Sequence, residues 1–295
     1  MGLPLHILRN PSLISSYFSA SKSGSWASVL LKAVGVLSRD SRWHADLLSV
    51  LTEEMQSLNK QLNSWTGNNP LLDRITEPYK RSDTQFFHPL LVLLMSRASR
   101  VEGDTSQQMF QRYKQLSRVT ELIHAANLIH INIREDQSTE ELKLATLVGD
   151  YLLGKASVDL SHLESNAVTE LMASAIANLV EGHFMKAGSS PADMQANERM
   201  LLLQSAFLPA KACLSASILN NASAHINKAC FTYGRFLGLS MHVAHEDLPE
   251  KMDLKMKKLE VLNDYQKKAK DALTVFPDVE AKQALIEIAD RVSIA

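Results

Sequence analysis

The stretch Glu121–Asp136 reads ELIHAANLIHINIRED. Taken with the residues before it, its apolar positions Leu116, Val119, Ile123, Ala126, Ile129 and Ile133, joined by His130, recur at steps of three and four. That is the period of an amphipathic helix, and it places Ser106–Glu135 on one long element. Outward from it the same period continues. Trp43–Trp65, Phe86–Ser99, Glu140–Ala156, Leu163–Met185, Glu198–Asn220, Ala222–His245, Leu254–Leu273 and Val279–Ile294 all read as helices. Pro209 should kink or split its helix, because it removes an N–H and crowds the preceding turn. Gly67–Leu72, GNNPLL, reads as a stop and a turn, and Gly188-Ser189-Ser190-Pro191 as a loop. Strand alternation and repeats of 20–50 residues are absent. The fold class predicted is all-α, a bundle of roughly ten helices by usual helix lengths.

Composition agrees and narrows the class. Among 295 residues, Gly (11) and Pro (9) are scarce and apolar residues make up 45%, the usage of a helical protein with an ample core. With 31 basic and 32 acidic residues, the chain has no electrostatic footprint for nucleic acid. Cys213 and Cys230 lack metal-ligand spacing and sit in apolar helical text, so both are expected to be buried thiols. No run of 18 or more apolar residues suggests a membrane span. The first 39 residues differ from the rest: they hold Arg9, Lys22, Lys32 and Arg39, many serines and no acid before Asp40. Acid-poor, Ser-rich and basic text is the description of a mitochondrial transit peptide. The expected organisation is residues 1–39 as that leader and 40–295 as one helical domain, addressed to the mitochondrial matrix or the matrix face of the inner membrane.

The wording of Glu121–Asp136 resembles the helix carrying the first aspartate-rich motif of the trans-polyprenyl diphosphate synthases, E-x-I-H-x-A-S-L-x-H-D-D-x-x-D. Glu121, Ile123, His124, Ala126, Leu128 and His130 match it. Val148–Ala156, VGDYLLGKA, resembles the family's A-G-D-Y-L-L-A-x-A helix; Lys211–Ser215, KACLS, its K-T-A-x-L segment; and Tyr233–His242, YGRFLGLSMH, its F-G-x-x-L-G-x-A-F-Q segment. The order is the family's order, and the resemblance spans residues 40–295. It implies an isoprenoid-synthase-like bundle.

The departures fall on the positions that do the family's chemistry. The first motif's paired aspartates are replaced by Ile131 and Asn132, and its third by Glu135. The second motif reads His245, Glu246 and Pro249. The G-G-K-x-x-R-P loop, which grips a substrate diphosphate, runs from Asp83 to Pro89, with Gln85 at the lysine position and His88 at the arginine position. G-E-x-x-Q has become Gly182-His183-Phe184-Met185-Lys186, and no arginine pair lies between Gln137 and Leu147. Carboxylates at i and i+4 of a helix can aim at one cavity. Mg²⁺ needs hard oxygen ligands, and a departing diphosphate needs such a metal to absorb its charge. Isoleucine supplies no oxygen, and Glu135 and Asp136 alone read as a solvated helix end.

A scaffold stripped of both metal sites and of its diphosphate grip is similar to the non-catalytic second subunit of the heteromeric decaprenyl and solanesyl diphosphate synthases, which make the side chain of ubiquinone. Lys268–Val292 resembles the end of that subunit. The resemblance implies no catalytic residue and no cofactor of its own, with Mg²⁺ on a catalytic partner chain. It implies a hetero-oligomer with that chain, two copies of each, meeting through Leu122, Tyr151 and Leu152. Two other readings stand beside it. One is a standalone prenyltransferase with altered ligands drawn from His124, His130, His242, His245, Glu246 and Asp247. The other is an isoprenoid-binding scaffold without an enzymatic role. The lysine-rich Lys251–Lys270 stretch mixes with acids and reads as a solvated face, with peripheral membrane contact at most.

Overall fold

The computed structural model describes residues 36–37, 70–81, 87–100, 107–134, 136–188, 194–245 and 252–292. These residues form α-helices and no strand. The helices are α1 (Pro70–Arg81), α2 (Phe87–Ala98), α3 (Gln107–Ile131), α4 (Thr139–Ser161), α5 (Asn166–Gly188), α6 (Met194–Leu201), α7 (Phe207–Leu219), α8 (Ala224–His245), α9 (Met252–Ala272) and α10 (Glu280–Arg291). Contacts divide the chain into two compact units, Met1–Leu90 with Lys114–His162, and Leu91–Tyr113 with Leu163–Ala295. The helix read at Trp43–Trp65 and the leader read at 1–39 lie, but for Val36 and Leu37, outside the described residues.

In the first unit α1 packs on α4. Pro70 opens α1 instead of sitting in a turn: proline suits the first helical position, where its missing N–H has no partner to lose. Leu72, Ile75 and Tyr79 are the buried face of α1. α4 begins with a capping box: the Ser138 hydroxyl accepts from the Glu141 N–H, and the Glu141 carboxylate accepts from the Ser138 N–H. These bonds hold the Glu141 carboxyl below the usual range, aided by Arg74 at 2.9 Å. α3 is clamped to α4 by Arg118, whose guanidinium makes two 2.8 Å bonds to the buried Asp159 carboxylate. This paired geometry is the strong form of the interaction.

In the second unit α7 and α8 form the central pair, with α5 against α7 and α9 against α8. Pro209 does interrupt its helix. The five residues before α7, Leu202–Ala206, form a π turn, a one-turn widening of the kind that recurs at kinks. Gly234 and Gly238, one turn apart on α8, face this break. A Cβ on Gly238 would lie 2.3 Å from the Ser205 carbonyl oxygen, and one on Gly234 2.4 Å from that of Pro209. Both glycines are kept by close backbone approach. Asn197–Leu219 reaches the length and mean hydropathy (1.4) of a membrane span, but more than half of it is buried among other helices, as in a core helix. Cys213 and Cys230 are buried free thiols, and burial drives Cys230 up to about 12.

Candidate functional site

α3 ends at Ile131, four residues before the end read from its period. The helix stops on the first position of the missing aspartate pair. Ile131 is 45% exposed. Asn132 folds its side-chain amide back to donate to the Leu128 carbonyl at 2.7 Å, satisfying one of the orphan acceptors of a helix C-terminus. An aspartate there could only accept. Asp136 is exposed and pairs loosely with Arg134 at 3.4 Å, so the acid that follows is a solvated end. Glu135 lies outside the described residues.

Directly before Ile131, the His130 ring lies across Gly149 of α4, with Nε2 3.4 Å from the Thr146 carbonyl and 3.6 Å from the Asp150 carboxylate. The glycine of VGDYLLGKA therefore serves the α3–α4 contact within this chain.

His88, at the arginine position of the diphosphate grip, points into the core. Its ring packs on His124 (centroids 4.2 Å apart) and edge-on to Phe87. Its Nδ1 lies 3.9 Å from the Glu121 carboxylate, which accepts from the Tyr79 hydroxyl. Burial, and then the neighbouring His124, push His88 well below the ordinary histidine range. His124 keeps part of its surface open, but the protein crowding its ring brings it down to about 4. Both rings are neutral at physiological pH. The position at which the family resemblance sets an arginine adds no charge here. Gln85, at the lysine position, lies outside the described residues.

In the second unit Lys211 of KACLS keeps its ammonium. It donates to the Ser174 hydroxyl (2.8 Å) and the Asn178 side-chain carbonyl, and sits 5.5 Å from the Phe207 ring centre. Both hydrogen-bond partners are neutral, and partial burial lowers its pKa. His245 ends α8 exposed, its Nδ1 bonded to the Met241 carbonyl at 2.7 Å, while His242 bonds the Ser205 hydroxyl at 2.9 Å. Glu246, Asp247 and Pro249 lie outside the described residues.

Mg²⁺, the metal of the resembled family, does not fit the donors at the end of α3. Ile131 has no oxygen, and Asn132, whose Nδ2 donates to the Leu128 carbonyl, offers only a neutral amide oxygen in place of a carboxylate. Among the described residues no group of three or more His, Cys, Asp or Glu is placed to hold a metal ion.

The interface reading needs correction. Leu152 and Leu122 are buried in the chain's own core, so neither presents a side chain to a partner. Tyr151 is half-buried. The exposed apolar positions of α4 are instead Leu147 (55% exposed) and Val158 (56% exposed), with the exposed Gly154, in step with Tyr151 at i, i+4, i+7 and i+11; Lys143, Thr146, Asp150 and Ser157 are exposed beside them. A Cβ on Gly154 would meet nothing within 4 Å.

The described helices define an isoprenoid-synthase fold. The structure matches a polyprenyl synthase from Caulobacter crescentus with a TM-score of 0.68 at 20% identity, covering 93% of this chain and 100% of that one. It matches a decaprenyl diphosphate synthase from Rhodobacter capsulatus with a TM-score of 0.60 at 21% identity, covering 83% and 97%. Residues 69–248 match the polyprenyl synthetase family, and the chain belongs to that family. It is 67% identical to decaprenyl-diphosphate synthase subunit 2 of Schizosaccharomyces pombe, over 97% of each chain. It is 27% identical to a probable mitochondrial hexaprenyl pyrophosphate synthase of Neurospora crassa, over 83% of this chain and 80% of that one.

Proposed function

We propose that this chain is a non-catalytic subunit of a heteromeric trans-polyprenyl diphosphate synthase, stabilising and regulating a metal-competent partner chain that makes the side chain of ubiquinone. The observation that carries the reading is the end of α3, where an aspartate pair would hold metal. Ile131 offers no ligand and the Asn132 amide caps its own helix. The buried, neutral His88 at the diphosphate-grip position points the same way. The subunit naming of the Schizosaccharomyces pombe relative supports a role inside a larger synthase. The mitochondrial naming of the Neurospora crassa relative supports a mitochondrial address, and within the mitochondrion our reading places the chain at the matrix or the matrix face of the inner membrane.

In this assembly Mg²⁺ sits on the partner, and charge developing on the leaving diphosphate is absorbed there. This chain contributes its helical frame. Leu147, Tyr151, Gly154 and Val158 of α4 form the face that meets the partner, and Gly154 allows a partner helix close approach. An obligate interface of this kind is apolar and buries roughly 2,000 Å² or more. Two copies of each chain make the complex, with no more than peripheral contact with a membrane. A standalone prenyltransferase with altered ligands would need several carboxylates aimed at one cavity at the end of α3, and the described side chains there offer only the neutral Asn132 amide oxygen and the Asp136 carboxylate, exposed beside Arg134.

The test is co-expression with a catalytic polyprenyl diphosphate synthase chain. The two should elute together in size exclusion, and the mixture should elongate an allylic diphosphate with isopentenyl diphosphate, while this chain alone should not. Separate elution with full activity in the catalytic chain alone would overturn the proposal.

A further inference from the structure

The second unit holds a cavity of about 500 Å³ between α6, α8 and α9 that the synthase reading does not use. That is the volume of a site for a small molecule. Leu239 of α8 is buried in its wall, and Leu201 and Leu202 are half-buried there. The Phe236 and Tyr265 rings also line it, with centroids 5.9 Å apart and planes tilted by 34°.

The charges in the cavity are unevenly matched. Arg235 of α8 is half-buried, and its guanidinium rests 5.6 Å from the Phe236 ring centre. Its Nε is shut off from solvent and has no hydrogen-bond acceptor. Among the described residues the guanidinium forms no ion pair, although Glu198, Glu260 and Asp264 line the same cavity. A guanidinium carries five N–H donors in a planar fork, and a buried donor left unmet costs free energy that a bound acceptor offsets. Lys268 sits over the same rings, 5.4 Å from the centre of Phe236 and 6.0 Å from that of Tyr265, but Asp264 neutralises it at 2.6 Å. Glu198 and Glu260 are exposed, where water and salt screen them. Arg235 is therefore the unmatched charge of the interior.

This arrangement selects a ligand by charge as well as by shape. The fork takes a carboxylate through two parallel N–H···O bonds. The rings and leucines beside it take a flat apolar body. The two rim carboxylates repel a ligand with several negative charges, which sets a diphosphate aside, and Arg235 repels a cation. We propose that the cavity binds a small monocarboxylate with an aromatic or similarly flat apolar body, its carboxylate on Arg235 and its body on Phe236 and Tyr265. The site lies within one compact unit of this chain and does not depend on the subunit reading.

The test is calorimetric titration of 3-phenylpropionate into the full chain at low ionic strength. The probe should bind one site per chain with a Kd of about 1 mM or tighter, as a ligand of this size reaches through one charge-assisted contact and an apolar body. Inorganic diphosphate and 3-phenylpropylamine should each bind roughly tenfold more weakly or not at all. Arg235→Gln should weaken the probe by about tenfold or more. Because no native hydrogen bond is lost, that variant should keep the melting temperature of the unliganded chain. Two exposed substitutions carry opposite signs and do not threaten folding. Lys268→Gln leaves the Asp264 charge uncompensated in the cavity and should weaken the probe several-fold. Glu260→Gln removes a rim carboxylate and should tighten it. This pair decides the matter if Arg235→Gln fails to fold. No saturable binding below about 10 mM, equal binding by a folded Arg235→Gln variant, a preference for diphosphate or the amine, or the same sign at Lys268 and Glu260 would each overturn the proposal. Loss of binding in a chain that still assembles with a catalytic synthase chain would count against this site only.

Discussion

The His130 ring of α3 occupies the space a side chain at Gly149 of α4 would fill: a Cβ there would lie 2.1 Å from Nε2 and 2.4 Å from Cδ2. The close α3–α4 crossing is held by this pair together with the Arg118–Asp159 clamp. What stands in the way at Gly149 is the end of a side chain that is 31% exposed and can swing aside. At Gly238 it is the Ser205 carbonyl and the Ala206 backbone, which cannot. Gly149→Ala should therefore change stability by no more than about 1 kcal/mol, since the helix preference of alanine offsets the lost His130 contacts. Gly238→Ala should cost about 1–3 kcal/mol as overpacking. Thermal melts of the two variants check this, and His130→Ala should relieve the larger Gly149→Leu variant.

Acid should loosen the first unit before it protonates ordinary carboxylates. His88 and His124 titrate below the free histidine value, His124 at about 4. The unfolded chain therefore binds more protons than the folded one between pH 6.5 and 4. The stability these rings allow is fully present above pH 6.5 and is lost as pH falls toward 4, by up to about 1.4 kcal/mol per pH unit for each ring. Melting temperature measured from pH 7.5 to 5 should fall, and His124→Gln should flatten the slope. Glu141, with its carboxyl held low, adds a further loss only below its unfolded value near 4.5.

Leu152→Asp and Leu147→Asp should part company. Leu152 is fully buried in this chain, and a charge there has no partner, so the variant should lose its helical circular dichroism signal. Leu147 is on the outer face of α4, so Leu147→Asp should fold normally and weaken pairing with the catalytic chain. Size exclusion together with circular dichroism separates the two outcomes.

Restoring the aspartates should not restore an enzyme. In the Ile131→Asp/Asn132→Asp double variant two negative charges sit at a helix C-terminus, where the dipole disfavours them by about 0.3–1 kcal/mol each. The Leu128 carbonyl also loses its donor. The variant should melt lower than the parent, show no elongation activity, and gain no stability from added Mg²⁺ as read by thermal shift.

Most of the helices were legible because period and buried face coincide: α2, α8 and α9 fall within two residues of the stretches read at Phe86–Ser99, Ala222–His245 and Leu254–Leu273. α1 was not, because Pro70 and Pro78 punctuate it and only Leu72, Ile75 and Tyr79 show its face. The start of α4 carried a readable signal, the Ser138-x-x-Glu141 spacing of a capping box. The early end of α3 did not, because the Asn132 bond to Leu128 is made by a turn and leaves no period. The lost metal ligands were plain from residue identity alone. Which face of α4 is outward was not, because Leu152 and Leu147 are both leucines in apolar text and packing alone separates them. The neutrality of His88 required the neighbours that burial and folding bring to it.

The account's central claim is that this chain serves a synthase without doing its chemistry. The direct measurement is polyprenyl diphosphate formed by the reconstituted complex when Asn132→Ala is placed in this chain, compared with loss of the first aspartate pair in the catalytic chain. The first complex should keep its turnover within a few-fold, since removing one exposed helix-end cap costs about 0.5–1 kcal/mol of stability at most, and the second should make no product. A complex of normal mass that loses its product with Asn132→Ala, or the isolated chain turning over at rates typical of enzymes, on the order of 1 s⁻¹, would contradict it.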